Sequence, residues 1–261
     1  MFNKSIIIKK KAIKVNKPLA IAGFPGVGNV GNLTSTHLVK ELKAIKIATL
    51  YSPHFPHHVT MLKTGGIRIP SNKFYLVKGK KKQRDLIIVT GDVQAISPEG
   101  QYEVNSLIVD FLVDALKCTT IYTIGGYNRE GMVTDQPRVF GNVNKKHMID
   151  LFKSYGVVFG ETQGTILGSA GLIIALAKMK GVEGICLLGE SNFLDLDAAA
   201  AKAVINVLNN NLKFNVSTTD FDALISKAAA VIGSPGGQPQ IGIPISGQGF
   251  GGDESKPSYI R

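Results

Sequence analysis

Short apolar runs alternate with stretches of helical periodicity along most of the chain. The apolar runs cover residues 19–24, 45–51, 74–77, 86–90, 119–124 and 184–188. Runs of this length with few polar interruptions are typical of strands that are buried on both faces of a sheet. They predict the interior strands of a layered domain.

Helical spacing of apolar residues follows most of these runs. The predicted helices cover residues 32–42, 99–117, 145–155, 168–178, 197–212 and 219–232, and the stretch 168–178 is apolar all round, as a buried helix would be. Strands that alternate with helices indicate βαβ units and a central, largely parallel sheet. Two predicted hairpins between residues 58 and 90 add an antiparallel extension. We therefore expect one globular α/β domain over residues 1–232.

The last segment, residues 233–261, differs from the rest of the chain in composition. It is rich in Gly, Pro, Gln and Ser, and it ends in Tyr259-Ile260-Arg261. Such a composition buries too little apolar surface to offset the entropy of ordering. It predicts a flexible tail that carries an apolar, aromatic-tipped end.

Positive charge is concentrated in two clusters of a chain whose formal net charge is +11. The clusters are Lys9, Lys10, Lys11, Lys14 and Lys17, and Lys78, Lys80, Lys81, Lys82 and Arg84. A basic protein of this kind invites a nucleic-acid hypothesis. No aromatic side chains interleave with the lysines to stack on bases, so the pattern favours solvated loops and not an RNA site.

Other features of the sequence limit the classes of protein to which the chain can belong. No apolar run approaches the ~18 residues of a membrane helix, and we expect a cytoplasmic protein. Cys118 and Cys186 lie in apolar runs outside any CxxC motif, which predicts core residues. Charged residues make up only 19% of the chain. That fraction is compatible with a surface hidden in an oligomer and equally with a large, well-filled monomer.

A glycine-rich loop follows the first predicted interior strand. Gly26-Val27-Gly28-Asn29-Val30-Gly31 matches the GxGxxG pattern, in which backbone N–H groups approach an anion at a helix N-terminus. The acid expected about 20 residues later is missing, because no Asp or Glu lies between Glu41 and Asp85. Close packing of helix on strand is the preferred interpretation. An anion site formed by Gly26, Gly28, Asn29 and Gly31 is the alternative.

Two further groups of residues carry candidate chemistry. His54, His57 and His58 lie within five residues, but no nearby Cys or carboxylate completes a metal site, so a surface loop is predicted. Carboxylates stand just after strand-like runs, where α/β enzymes place acids and bases, although capping explains them equally well. These are Asp92, Glu161 and Glu190, and Glu99, at the start of a predicted helix, is grouped with them. No triad or nucleophile elbow accompanies them, so no catalytic set and no cofactor is predicted.

Six short motifs, taken in order, resemble the proteasome assembly chaperone family. They are GFPGVGNVG at 23–31, GDVQ at 91–94, IGG at 124–126, GTILGSAGL at 164–172, GVEGICLLGE at 181–190 and DAAA at 197–200. The resemblance spans residues 19–232, nearly the whole predicted globular part. It implies a three-layer α/β/α fold similar to nucleoside phosphorylases, and homo-oligomers without demonstrated catalysis in archaeal members.

The resemblance also implies a way of binding. Some archaeal members are ATP-independent chaperones that insert a tail of the hydrophobic-tyrosine-any type between proteasome α subunits. Here Tyr259 stands third from last, which departs from that order. Either Ile260 takes the tyrosine's position beside Tyr259, or the tail binds a different partner.

The leading hypothesis is a homo-oligomer that binds proteasome α subunits, or a related ring, through its tail. Tyr259 would supply apolar contact area, Ile260 would fill a pocket, and Arg261 would carry the terminal carboxylate. The alternative is a phosphorylase-like or ligase-like enzyme that uses the loop from Gly26 to Gly31 for nucleotide or phosphate.

Overall fold

The computed structural model describes residues 3–9, 13–80, 83–128, 136–161, 164–192 and 196–232. The predicted tail, with Tyr259, Ile260 and Arg261, lies outside these ranges. The strands are β1 (Ile6–Lys9), β2 (Leu19–Gly23), β3 (Ile45–Tyr51), β4 (Thr60–Met61), β5 (Ile67–Arg68), β6 (Asn72–Val77), β7 (Leu86–Gly91), β8 (Thr120–Asn128), β9 (Val139–Val143), β10 (Val157–Val158) and β11 (Glu183–Ser191). The helices are α1 (Val30–Glu41), α2 (Pro98–Asp110), α3 (Met148–Lys153), α4 (Ser169–Met179), α5 (Ala198–Leu212) and α6 (Thr219–Ile232).

A nine-stranded sheet forms the centre of the domain, in the order β1-β3-β6-β7-β2-β8-β11-β9-β10. Its interior strands β7, β2, β8 and β11 are parallel, as the alternating pattern predicts. Antiparallel pairs extend the sheet through β6, β3 and β1 on one side and through β9 on the other. The hairpin predicted near residues 58–70 forms as β4 and β5, but it is a separate two-stranded sheet and not part of the extension.

Helices cover both faces of the sheet, so the molecule has the three-layer α/β/α arrangement that the resemblance implies. Side chains of β2 alternate between two cores: Ala20 packs with the residues of α2 and α4, whereas Ile21 packs with those of α1, α3, α5 and α6. Both residues are fully buried. Interior strands therefore need apolar residues at every position, which is the continuous pattern seen in the sequence.

Side chains fix where two of the helices begin. The Asp197 carboxylate accepts a hydrogen bond of 2.9 Å from the backbone N–H of Ala200 and so caps the start of α5. Ser97 caps α2 in the same way through the N–H of Gly100, with Pro98 at the first helical position. A π-helical turn from Phe111 to Ala115 follows α2 within the single helix predicted over residues 99–117.

The outer face of α4 departs from the sequence-based expectation. Ile173, Ile174 and Ala177 are buried against the sheet, as predicted, but Ala175 and Met179 are exposed. One apolar face of α4 is therefore buried in the domain, and its other apolar face is not covered by the described residues. Among the residues described here, no helix combines the length and apolarity that crossing a membrane requires.

Candidate functional site: the carboxyl edge of the sheet

The carboxyl ends of the parallel strands meet at one edge of the sheet, where open α/β folds bind their ligands. We call this the carboxyl edge and define it by the segments 24–29, 52–71, 92–97 and 164–168. Segment 52–71 belongs to it because β3 runs in the same direction as β7, each being antiparallel to β6. The opposite edge, where β2, β7, β8 and β11 begin, is called the amino edge.

A cavity of about 330 Å³ opens at the carboxyl edge between the ends of β2 and β8 and the start of α4. Its wall is largely apolar, with Phe24, Tyr127 and Leu188 among the lining side chains. The polar side chains in the wall are uncharged and include Gln94 and Asn128. None of the described residues that line the cavity carries a charge.

Gln94 holds two walls of this cavity together. Its side-chain nitrogen donates to the carbonyl of Pro25 at 2.6 Å, and its side-chain oxygen accepts from the N–H of Ser169 at 2.9 Å. Gly168, with φ of +77°, brings the backbone so near that an added Cβ would lie 2.7 Å from that oxygen. The first N–H of α4 is therefore already bonded within the protein.

The glycine-rich loop lies beside the cavity, and only part of it faces the open space. Gly26 lines the cavity. Gly28 has a left-handed φ of +57°, and a Cβ there would lie 2.3 Å from the Ser191 hydroxyl oxygen. A Cβ on Gly31 would lie 2.6 Å from the carbonyl oxygen of Ile124. These contacts match the close-packing interpretation, and anion binding by the loop stays a prediction.

Asn29, the remaining residue of the predicted anion loop, forms the start of α1. Its φ of +51° is left-handed, and its N–H donates to the carbonyl of Gly26 at 2.8 Å. Its side-chain oxygen is buried and has no hydrogen-bond partner among the described residues. The backbone N–H of Asn29 is thus used within the loop itself.

An apolar hairpin projects from the carboxyl edge. The register pairs Met61 with Ile67, and strand alternation places Val59 and Ile69 on the same face of the hairpin. Met61 is 86% exposed and Ile67 is 72% exposed, and Val59 and Ile69 are also exposed. This apolar hairpin face, defined as Val59, Met61, Ile67 and Ile69, is covered only in part by the described residues of the chain.

An ion-pair cluster anchors the other face of the hairpin. Arg68 pairs with Asp92 at the end of β7, and Lys73 Nζ lies 2.9 Å from the same carboxylate. Burial acts to raise the pKa of Asp92, but hydrogen bonds from Arg68 and Lys73 outweigh it and lower the pKa below its ordinary value. The carboxylate noted at this strand end therefore serves as a structural anchor.

Other predicted candidates also form local pairs. Glu190 at the end of β11 accepts from the guanidinium of Arg138, with an N–O distance of 3.0 Å. His54 lies 3.0 Å from Glu103, and hydrogen bonds from Ser5 and His54 lower the pKa of Glu103 to about 2. Within the described ranges, no group of three or more His, Cys, Asp or Glu residues is arranged to hold a metal ion.

Described residues of the two basic clusters, which are far apart in the sequence, meet at the amino edge. Lys78 donates to the Lys14 carbonyl at 2.8 Å, and Arg84 donates to the Lys17 carbonyl at 3.0 Å. The buried carboxylate of Asp85 accepts from Lys78 at 2.9 Å. Positive charge is thus gathered at the edge opposite to the cavity and the hairpin.

Comparison with known proteins identifies the family. The model of the PAC2 family matches residues 20–232, which is most of the chain. The chain belongs to the PAC2 family. This confirms the resemblance to proteasome assembly chaperones noted in the sequence.

Two solved structures show how PAC2 proteins of archaea compare with this chain. Pyrococcus furiosus PbaB, an archaeal proteasome activator, is 35% identical with a TM-score of 0.83, and the match covers 88% of this chain and 98% of PbaB. Pyrococcus furiosus PbaA, an archaeal homolog of proteasome-assembly chaperone, is 26% identical with a TM-score of 0.73, covering 88% and 90% of the two chains. A Methanocaldococcus jannaschii protein, MJ1210, is 35% identical over 207 residues, 78% of each chain.

Sequence reasoning missed most of the carboxyl edge of this PAC2 protein. Gln94 stands within a motif that carries the resemblance, but nothing in that motif marks it as a bridge between β2 and α4. Tyr127 and Asn128 extend β8 beyond the predicted strand end at residue 124. The rule that ligands bind at strand carboxyl ends was the available signal, and it pointed to the carboxylates and not to the uncharged amides.

Proposed function

We propose that this protein is a homo-oligomeric, ATP-independent chaperone of proteasome assembly. In this proposal it binds proteasome α subunits, or a related ring, through the segment 233–261. Family membership supports the proteasome connection, since PbaB is described as a proteasome activator and PbaA as a homolog of a proteasome-assembly chaperone. The activity is binding, and no reaction is assigned.

The observation that carries the self-association in this proposal is the apolar hairpin face, much of which is exposed. Four large apolar side chains share one face of a two-stranded hairpin. Met61 and Ile67 lie largely in solvent, and Val59 and Ile69 are about half exposed. Isolated two-stranded hairpins are marginal in water, and exposed apolar patches commonly mark protein contacts. We infer that a second copy of the chain covers this face. The charged fraction of 19% is compatible with self-association.

In this proposal the tail is a linker whose apolar end binds the ring. Tyr259 and Ile260 supply apolar contact area to a pocket on the ring, beside Arg261. Each copy in an oligomer carries one tail, so weak individual contacts add up to a higher overall avidity, by ~10²–10⁴-fold for linked sites of suitable geometry. Self-association at the hairpin and docking by the tail therefore support each other.

Capture of α-rings tests the tail's role. Purified α-rings are passed over three immobilised proteins: the full chain, a chain cut after Gly252, and the double variant Tyr259→Ser/Ile260→Ser. Lys256→Gln, in the same segment, is the matched control for a substitution that spares the apolar end. The full chain and the control should retain the ring, whereas the other two lose it. Equal retention by all four would refute docking through the tail.

A second candidate function rests on the cavity. Gly26 of the predicted anion loop lines it, which favours a phosphorylase-like or ligase-like enzyme as the alternative. That function predicts that phosphate or a nucleotide raises the melting temperature of the full chain. A melting temperature that neither phosphate nor the nucleotide changes would contradict this enzyme function and leave the chaperone function as the remaining proposal.

A further inference from the structure

The cavity at the carboxyl edge has no part in the proposed docking function. Its volume of about 330 Å³ lies near the lower end of the ~300–1,000 Å³ typical of ligand sites. A space of that size accepts a single ring system and is too small for a dinucleotide. The carboxyl ends of parallel strands are also where this fold class binds small molecules.

The chemistry of the wall selects for an uncharged molecule. Phe24 and Tyr127 provide aromatic surface, and Asn128 and Asn142 provide side-chain amides. Amides both donate and accept hydrogen bonds, so they complement a ring whose edge carries both kinds of group. No described lining residue bears a charge that would offset an anion or a cation, and an unpaired charge in such a site is costly.

Asn128 lines the cavity, and its side-chain amide has unused hydrogen-bonding capacity. Its side-chain oxygen is buried and has no hydrogen-bond partner among the described residues. Buried polar atoms are nearly always partnered in native proteins, and each exception calls for an explanation. Gln94 differs, because both ends of its amide are bonded to Pro25 and Ser169. That second bond occupies the first N–H of α4, a donor that an anion would need.

We propose that this cavity binds a small, uncharged, planar ring that carries both hydrogen-bond donors and acceptors. Asn128 turns its side-chain amide toward the ring and hydrogen-bonds to its edge, and Phe24 and Tyr127 contact its faces or rim. The site involves neither the tail nor the hairpin, so an experiment can refute this proposal without refuting the chaperone proposal, and the reverse also holds.

Matched pairs of neutral and charged probes test the proposal on the full wild-type chain. Nicotinamide is compared with nicotinate, and uracil with its carboxylated form orotate, by isothermal titration and ligand-observed NMR. At least one neutral probe should bind at millimolar concentration or below, and its charged twin should bind at least tenfold more weakly. No binding by either neutral probe, or equal binding within both pairs, would overturn the proposal.

The variant Asn128→Ala tests the assignment of the residue. The side chain makes no hydrogen bond in the described structure, so the melting temperature should stay close to that of the wild type. Affinity for the neutral probe should fall by about 3–10-fold, the usual effect of losing one uncharged hydrogen bond. Asn210→Ala, on the exposed surface of α5, is the control and should bind as the wild type does. An unchanged affinity in Asn128→Ala would contradict the assignment.

Discussion

Replacing Ile67 by serine should separate self-association from folding. Ile67 is 72% exposed, so folding of one chain buries only about a quarter of the side chain. Complete burial of an isoleucine stabilises by about 1.5–3 kcal/mol. The substitution should therefore lower the free energy of unfolding by only about 0.4–0.8 kcal/mol.

The effect on assembly should be larger. If a second copy covers the apolar hairpin face, it buries the remaining three quarters of the Ile67 side chain, worth about 1–2 kcal/mol for each copy in contact. For each copy in contact, that corresponds to a loss of about 5–30-fold in the association constant. Met61 lies directly across the hairpin from Ile67, and Met61→Ser should act in the same direction.

Ile45→Ser is the matched control. Ile45 is the same residue type and is 69% exposed, but it begins β3 at the amino edge. Sedimentation velocity over a range of concentrations measures assembly, and urea unfolding measures stability. Ile67→Ser should shift the assembly toward monomer while Ile45→Ser leaves it unchanged. Identical sedimentation of both variants and the wild type would refute the inference that this face is covered by another copy.

Two further predictions concern the body of the domain. Gly31→Ala should lower the free energy of unfolding in urea by about 1–3 kcal/mol, because the added Cβ would lie 2.6 Å from the Ile124 carbonyl oxygen. Gly66→Ala, where the added Cβ has ordinary contact distances, is the control and should change stability by less than about 0.5 kcal/mol. An unchanged stability of Gly31→Ala would argue against the close-packing role of Gly31. Burial acts to raise the pKa of Asp85, but hydrogen bonds from Lys78 and two backbone N–H groups lower it below the ordinary 3.8. The stability advantage of the wild type over Asp85→Asn, about 1.5–3 kcal/mol, should therefore be complete well above pH 3.8 and disappear as the pH falls through the lowered pKa; an advantage independent of pH would contradict this account.

The interior of the fold was predictable because its strands are buried on both faces. β2, β7, α5 and α6 lie within one residue of where the patterns place them. β9 was missed because its sequence, VFGNV, mixes apolar residues with Gly and Asn. Its pairing with β11 depends on contacts across the chain, which no local pattern encodes.

The carboxyl edge was less predictable because its features depend on tertiary structure. The hairpin was expected, but its detachment from the main sheet, the exposure of Met61 and Ile67 and the ion pair between Arg68 and Asp92 are tertiary features that no local pattern encodes. The same limit applies to α4. An apolar sequence shows that a surface is to be covered, but not whether the cover is the same chain or another copy.

Photo-crosslinking from position 259 tests the central claim of docking most directly. The full chain with p-benzoylphenylalanine in place of Tyr259 is irradiated together with purified proteasome α-rings, and the products are identified by mass spectrometry. The account predicts crosslinks to α subunits that disappear when excess unmodified chain competes. Crosslinks confined to the protein's own domain, with none to the ring, would contradict it.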